Sequence, residues 1–203
     1  MEGYTGYREI YVENEFLSKF YSGEVTPEGF DLNNNEYLIL LDEQGEVIDY
    51  FCNDEGILRR VTYPTVGNDF TGVMKPRNPQ QYCALDLLNN RKVPIKLLIG
   101  KWGSGKSMAC ITAALQAIQE NRFEKIIFIR NNVQVKDTES LGALPGDTDN
   151  KMLPYLMPFA DHCGGVDGIN RLVAEGKLEV IPLAFLRGRS IKNSILYQFY
   201  QKK

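Results

Sequence analysis

Histidine and tryptophan occur once each among the 203 residues, at His162 and Trp102, and the four cysteines, Cys52, Cys83, Cys110 and Cys163, stand far apart with no C-x-x-C pair. Neither a zinc site nor a disulfide framework is encoded, so the thiols are expected reduced, with Cys83 and Cys110 packed in helices. His162 beside Cys163 reads as structural, because two adjacent residues do not make a metal site. No apolar run approaches the ~18 residues of a membrane span. The opening MEGYTGYREI lacks the basic-then-apolar order of a signal peptide, which makes the cytoplasm the expected location. A net charge of −3 excludes a strongly basic nucleic-acid coat, although a local basic groove can coexist with an acidic total. Internal repeats and low-complexity tracts are also absent.

What is present suits a globular protein: 43% hydrophobic and 24% charged residues, enough for one large domain or two small ones. Residues 1–75 read as a small β-rich module. Glu36–Leu41 and Glu46–Phe51 flank a connection with Gly45 near its end, a hairpin signal; Arg8–Val12 and Ile57–Thr62 add strands, and Glu13–Tyr21 one or two helical turns. Pro64, Gly67, Gly72 and Pro76 mark a linker, and Pro79–Asn89 reads as a helix. Residues 76–203 then change pattern. Ile95–Ile99 reads as a strand, Ser107–Glu120 as a helix and Ile126–Ile129 as a second buried strand, a βαβ unit of a mostly parallel sheet. Leu178–Phe185 and Ile195–Phe199 are further strand candidates.

Between the first of these strands and its helix stands Gly100-Lys101-Trp102-Gly103-Ser104-Gly105-Lys106-Ser107, which fits G-x-x-x-x-G-K-[ST]. The glycines permit backbone angles and close approach that a side chain would block, so successive N–H groups can turn toward phosphate oxygens at a helix start. Lys106 is placed to reach the β- and γ-phosphates and Ser107 to offer its hydroxyl to Mg²⁺. The indole of Trp102 either covers the nucleotide or packs on a neighbour.

Three further stretches carry a resemblance. Pro76-Arg77-Asn78-Pro79-Gln80-Gln81-Tyr82-Cys83-Ala84-Leu85-Asp86-Leu87-Leu88 precedes the loop, while Leu141-Gly142-Ala143-Leu144-Pro145-Gly146-Asp147 with Lys151-Met152-Leu153-Pro154 follows it; Leu183-Ala184-Phe185-Leu186-Arg187-Gly188-Arg189-Ser190 comes last. Together they resemble the PhoH-like proteins, P-loop ATPases related to superfamily 1 helicases, over about Pro76–Ser194. The implied fold is α/β, a P-loop NTPase core with a mostly parallel sheet, preceded here by the β-rich module. The implied activity is ATP hydrolysis coupled to RNA, with ATP and Mg²⁺ as cofactors and a homo-oligomeric ring as an assembly. By the same resemblance Gln81 reads the adenine edge, Gln80 being the alternative, or else serves only as a helix-start glutamine. Arg130 faces phosphate or a nucleic-acid backbone, or is an ordinary surface arginine; Arg187 and Arg189 meet a phosphate in the site, a neighbouring subunit's nucleotide or RNA, or form surface salt bridges. Asp147 caps a helix.

Hydrolysis of this type also needs an apolar strand ending in an acidic pair, which in the resembled family follows the R-G-R segment as D-E-A-Q. Here the chain continues Ile195-Leu196-Tyr197-Gln198-Phe199-Tyr200-Gln201-Lys202-Lys203 without a carboxylate, as expected of a C-terminally incomplete, truncated core. Three readings stand: a nucleotide-binding PhoH-like protein impaired in the chemical step; a non-catalytic RNA- or protein-binding module with a vestigial loop; and a small-molecule kinase.

Overall fold

The computed structural model of the chain describes residues 4–130, 156–157 and 159–198, which form two compact units. The segment 141–147 and residues 151–154, with Asp147 and Lys151, lie outside the described residues. Among the described residues no helix is long and apolar enough to cross a membrane.

The first unit comprises Met1–Val66 and Lys75–Ile99. Its sheet has the order β1 (Tyr7–Tyr11), β2 (Tyr37–Leu41), β3 (Val47–Asp54), β4 (Ile57–Arg60). The expected hairpin is β2–β3, antiparallel, with Gly45 at φ 83° and the Asp42 carboxylate accepting from the N–H groups of Gln44 and Glu46. β1 is parallel to β2, the intervening α1 (Asn14–Ser22) serving as crossover. Every residue of β2 is buried, because the strand is covered on both faces. Leu38 and Leu40 pack with Phe20 of α1, Val12, Leu32 and Phe51. Tyr37, Ile39 and Leu41 pack with Cys52, Val61 and, from α2 (Pro79–Asn89), Cys83, Tyr82 and Leu87. α2 starts where its sequence says it should: Asn78 caps Gln81 N at 2.8 Å, and Pro79 occupies the first turn.

The second unit comprises Gly67–Met74 and Gly100–Lys203. A parallel sheet of order β8 (Leu178–Pro182), β7 (Lys125–Arg130), β9 (Ser194–Gln198) forms its centre. Ile126 and Phe128 of β7 face a core built from Ile111, Leu115 and Ile118 of α3 (Lys106–Gln119), Phe159, Cys163, and Ile169 and Leu172 of α4 (Gly165–Ala174). Ile127 and Ile129 are buried with Ile181 on the other face, which explains the unbroken apolar run in β7. A short pair, β5 (Val66–Asn68) and β6 (Gly72–Met74), stands where the sequence suggests only a linker. Its loop is strapped to α3: Gly67 N donates to Gln116 Oε1 at 2.9 Å, Asn68 Nδ2 to Thr112 O at 3.3 Å and Asp69 N to Gln119 Oε1 at 3.1 Å.

Two expectations differ from this architecture. The units do not divide at residue 75: α2 belongs with the β-rich sheet because its apolar face completes that core, and the 67–74 hairpin belongs with α3. Ile95–Ile99 is not a strand, and the expected βαβ unit around α3 is not formed. Both flanks of β7 are taken by β8 and β9, and among the described residues no strand pairs with residues 95–99.

Candidate nucleotide site

The loop that precedes α3 is shaped by two glycines. Gly103 has φ 74°, and Gly105, the N-cap residue of α3, has φ 82° and ψ 8°, left-handed conformations that disfavour any side chain. No side chain caps the helix, so the first-turn amides of α3 keep their donor capacity, and the first intrahelical bond closes only at Ala109 N to Gly105 O, 2.9 Å. Gly100 lies beneath: a Cβ there would stand 3.4 Å from Ser104 Oγ and 3.7 Å from Lys106 Cδ.

Lys106 is folded into this loop. Its Nζ donates to Lys101 O at 2.6 Å and to Ser104 Oγ at 3.1 Å, while Ser104 Oγ donates to Lys101 O at 2.8 Å. A positive charge therefore sits among the loop's own oxygens, where an anion would draw it away. Trp102 is 87% exposed, so its indole does not pack on a neighbour. Lys101 is exposed beside it.

Ser107, the expected Mg²⁺ donor, shares a side-chain hydrogen bond with Tyr197 of β9. Tyr197 was legible only as part of a strand, and nothing in its sequence context signals this contact. Its ring stacks on Phe128 at 5.6 Å and meets Phe159 edge-on at 5.6 Å; burial pushes its hydroxyl well above the usual phenol range, and Cys110 adds to that rise. The three strands of the parallel sheet carry a single carboxylate, Glu179. Burial raises it, but hydrogen bonds from Lys125 (2.7 Å) and Arg189 (2.8 Å) outweigh that and hold it below the ordinary glutamate value. Among the described residues no group of three His, Cys, Asp or Glu side chains is placed to hold a metal ion.

The remaining expected site residues lie on other elements. Arg189 is committed to Glu179, whereas Arg187 is exposed in the turn that Gly188 makes at φ 78°. Arg130 ends β7, opposite Pro182. Gln81 belongs to the first unit: its Oε1 accepts from Arg77 N at 2.9 Å, which closes the start of α2 in the manner of a capping box. Gln80 Nε2 donates to Tyr7 Oη at 3.2 Å.

Comparison with known proteins follows the same residues. The family described as PhoH-like protein matches residues 73–197. The chain belongs to the PhoH family. It is 27% identical to Protein PhoH2 of Bacillus subtilis (strain 168), an alignment covering 96% of this chain and 46% of the relative. It is 30% identical to Protein PhoH2 of Thermobispora bispora over 96% of the chain and 44% of the relative, and 38% identical to the PhoH-like protein of Bacillus subtilis over 47% of the chain and 30% of that protein. The chain thus spans about half the length of the PhoH2 relatives it matches. Family membership makes it a P-loop ATPase-like protein with a mixed α/β fold.

Proposed function

We propose that this chain binds ATP at residues 100–107 and is impaired in hydrolysing it. The observation that carries the reading is the loop itself: a left-handed Gly105 opening an uncapped α3, with Lys106 holding its ammonium inside the curve. Phosphate oxygens suit such a cradle, because they accept from the first-turn amides and offer Lys106 a charged partner in place of Lys101 O and Ser104 Oγ. Mg²⁺ fits less well as a protein-held ion. Ser104 Oγ is engaged by Lys101 O and Lys106, and the hydroxyl of Ser107, the expected donor, is shared with Tyr197, so the ion would depend chiefly on the nucleotide's own oxygens and on water. When bound, Mg²⁺ supplies charge neutralisation at the phosphates. The impaired-chemistry clause draws support from the sheet: its single carboxylate, Glu179, is tied to Lys125 and Arg189, which leaves no described strand-borne acid to orient an attacking water. We assign RNA as a second partner by family, with Arg187 as the contact; a ring of copies belongs to the same proposal.

A second reading, a binding module in which the loop only shapes the fold, draws support from the closure of Lys106 onto Lys101 O, which satisfies the loop without a ligand. One experiment separates the two. Thermal unfolding is followed with Mg·ATP, Mg·ADP and Mg·GTP, for the wild type and Lys106→Ala. A ligand at ~100 times its Kd that binds only the folded state adds about 2.7 kcal/mol, several degrees for a domain of this size. A shift with adenine nucleotides that Lys106→Ala removes supports the site. No shift in a chain that unfolds cooperatively hands the case to the binding module, and steady phosphate release abolished by Lys106→Ala overturns the impaired-chemistry clause.

A further inference from the structure

A phosphate chain and the magnesium ion that commonly accompanies it make opposite demands on charge, and the loop answers only one of them. From Gly100 to Gln119 the chain carries two ammonium groups, Lys101 and Lys106, and no carboxylate. The Lys106 Nζ is held by two neutral oxygens, Lys101 O at 2.6 Å and Ser104 Oγ at 3.1 Å, so its charge stays uncancelled within the loop. The N-terminus of α3, with no acid in its first turn, adds the positive end of a helix dipole. Mg²⁺ seeks an octahedron of oxygens and takes from proteins one or two carboxylates beside phosphate and water. The hydroxyl that would serve here, on Ser107, is bonded to Tyr197. That partner is fixed in place: Tyr197 stands in register beside Phe128 on β7, stacks on its ring at 5.6 Å with 23° between the planes, and meets Phe159 edge-on at 85°. The phenol cannot withdraw without opening this packing, so an ion at Ser107 must share the hydroxyl or break its bond.

We infer that residues 100–107 take the metal-free nucleotide in preference to its magnesium complex, and that Tyr197, by engaging Ser107, sets this preference. The inference rests on the nucleotide reading of the loop and names the ionic form of the ligand. A divalent cation on the polyphosphate cancels negative charge that Lys101, Lys106 and the helix start would otherwise attract. In exchange it gains from the loop one neutral hydroxyl that already has a partner. A carboxylate beside the loop would offset the lost attraction, but residues 100–119 hold none. An added charge contact at an exposed site is worth at most about fivefold in affinity, so free ATP is expected to bind as tightly as Mg·ATP or up to about fivefold tighter.

The test is calorimetric titration of the full chain with ATP at matched ionic strength, once in excess Mg²⁺ and once in EDTA, for the wild type, Lys106→Ala and Tyr197→Phe. The wild type is expected to bind in EDTA at least as tightly as in Mg²⁺, and Lys106→Ala to lose binding in both buffers. Tyr197→Phe keeps the ring in its cluster and releases Ser107, so the ratio of the two affinities is expected to move toward Mg·ATP by about fivefold, the worth of one neutral hydrogen bond. Cooperative urea unfolding of that variant verifies that the core is intact, and the wild-type comparison stands without it. Tighter wild-type binding in Mg²⁺ than in EDTA overturns the inference and leaves the nucleotide reading standing, because the ion is then held by an acid from elsewhere in the chain. A ratio unchanged in a folded Tyr197→Phe overturns the part given to Tyr197. Wild-type binding in neither buffer overturns the nucleotide reading itself, and this inference with it.

Discussion

Asp86 offers the sharpest check on how the first unit is held together. Its carboxylate accepts from Tyr37 Oη at 2.8 Å and from Arg59 Nη1 and Nη2 at 3.2 and 2.7 Å, joining α2 to β2 and β4. Tyr37 is 3% exposed, and burial together with Asp86 raises its hydroxyl far above the phenol range, so it acts as a committed donor. Replacing Asp86 strands that donor at about 1–3 kcal/mol. Arg59 loses its bidentate partner as well, but its side chain is 36% exposed and Asp54 remains 3.7 Å away, so solvent recovers most of that loss and the additional cost is at most about 1 kcal/mol. The expected destabilisation is therefore about 1–4 kcal/mol, with Asp86→Ala near the lower end because water can enter, and Asp86→Leu near the upper. Urea unfolding measures it, and a double-mutant cycle with Tyr37→Phe isolates the pair. Tyr37→Phe alone is expected to cost about 1 kcal/mol, and in the Asp86→Leu background much less, since the orphaned hydroxyl is gone. Additive losses, or an Asp86→Leu cost below about 1 kcal/mol, would refute the network.

Two further outcomes test the loop and the acid response. Gly105→Ala forces a Cβ into the left-handed conformation at the start of α3; a loss of about 1–2 kcal/mol in urea unfolding is expected, together with disappearance of any adenine-nucleotide thermal shift, and an unchanged shift would show that the cradle does not depend on this conformation. Glu36 is 2% exposed; burial opposes its ionisation, but hydrogen bonds from Asn33 and Arg8 outweigh this and set its carboxyl below the ordinary 4.5. A depressed folded value means that the stabilisation is complete above about pH 4.5 and is lost as pH falls through the folded value. Glu36→Gln should lower stability at neutral pH and flatten the acid limb, and parallel wild-type and variant curves from pH 7 to 3 would contradict this.

Where the chain writes its structure locally, the sequence was a good guide. The alternation on either side of Asp42–Gly45 is the β2–β3 hairpin, Asn78-Pro79 begins α2, and the glycines of the loop lead straight into α3. What it concealed depends on partners distant in sequence. The 66–74 hairpin reads as punctuation because its stabilising bonds come from Gln116 and Gln119 on α3. Nothing in Cys163-Gly164-Gly165 signals that α4 begins there; its identity lies in Ile169 and Leu172 meeting the core. Apolarity at residues 95–99 predicts a strand, yet strands exist only as pairs, and composition carries no information about which pair forms. The candidate site divides the same way: the cradle is contained in eight consecutive residues, whereas the contact between Ser107 and Tyr197 joins two elements ninety positions apart.

That contact bears on the proposal that nucleotide binding and hydrolysis separate in this chain. The cradle needs only a loop and a helix start, but a metal-holding acid must come from a neighbouring strand, and the strand that reaches Ser107 is β9. Its residue at that point, Tyr197, is not a polar placeholder. The ring is part of an aromatic cluster with Phe128 and Phe159, and only the hydroxyl reaches the loop. A carboxylate there would lose the stacking and put a charge among aromatic rings, at a cost of several kcal/mol unless a cation were already bound. On the proposed reading, the aromatic packing of Tyr197 stabilises the second unit and supplies no acid at that position.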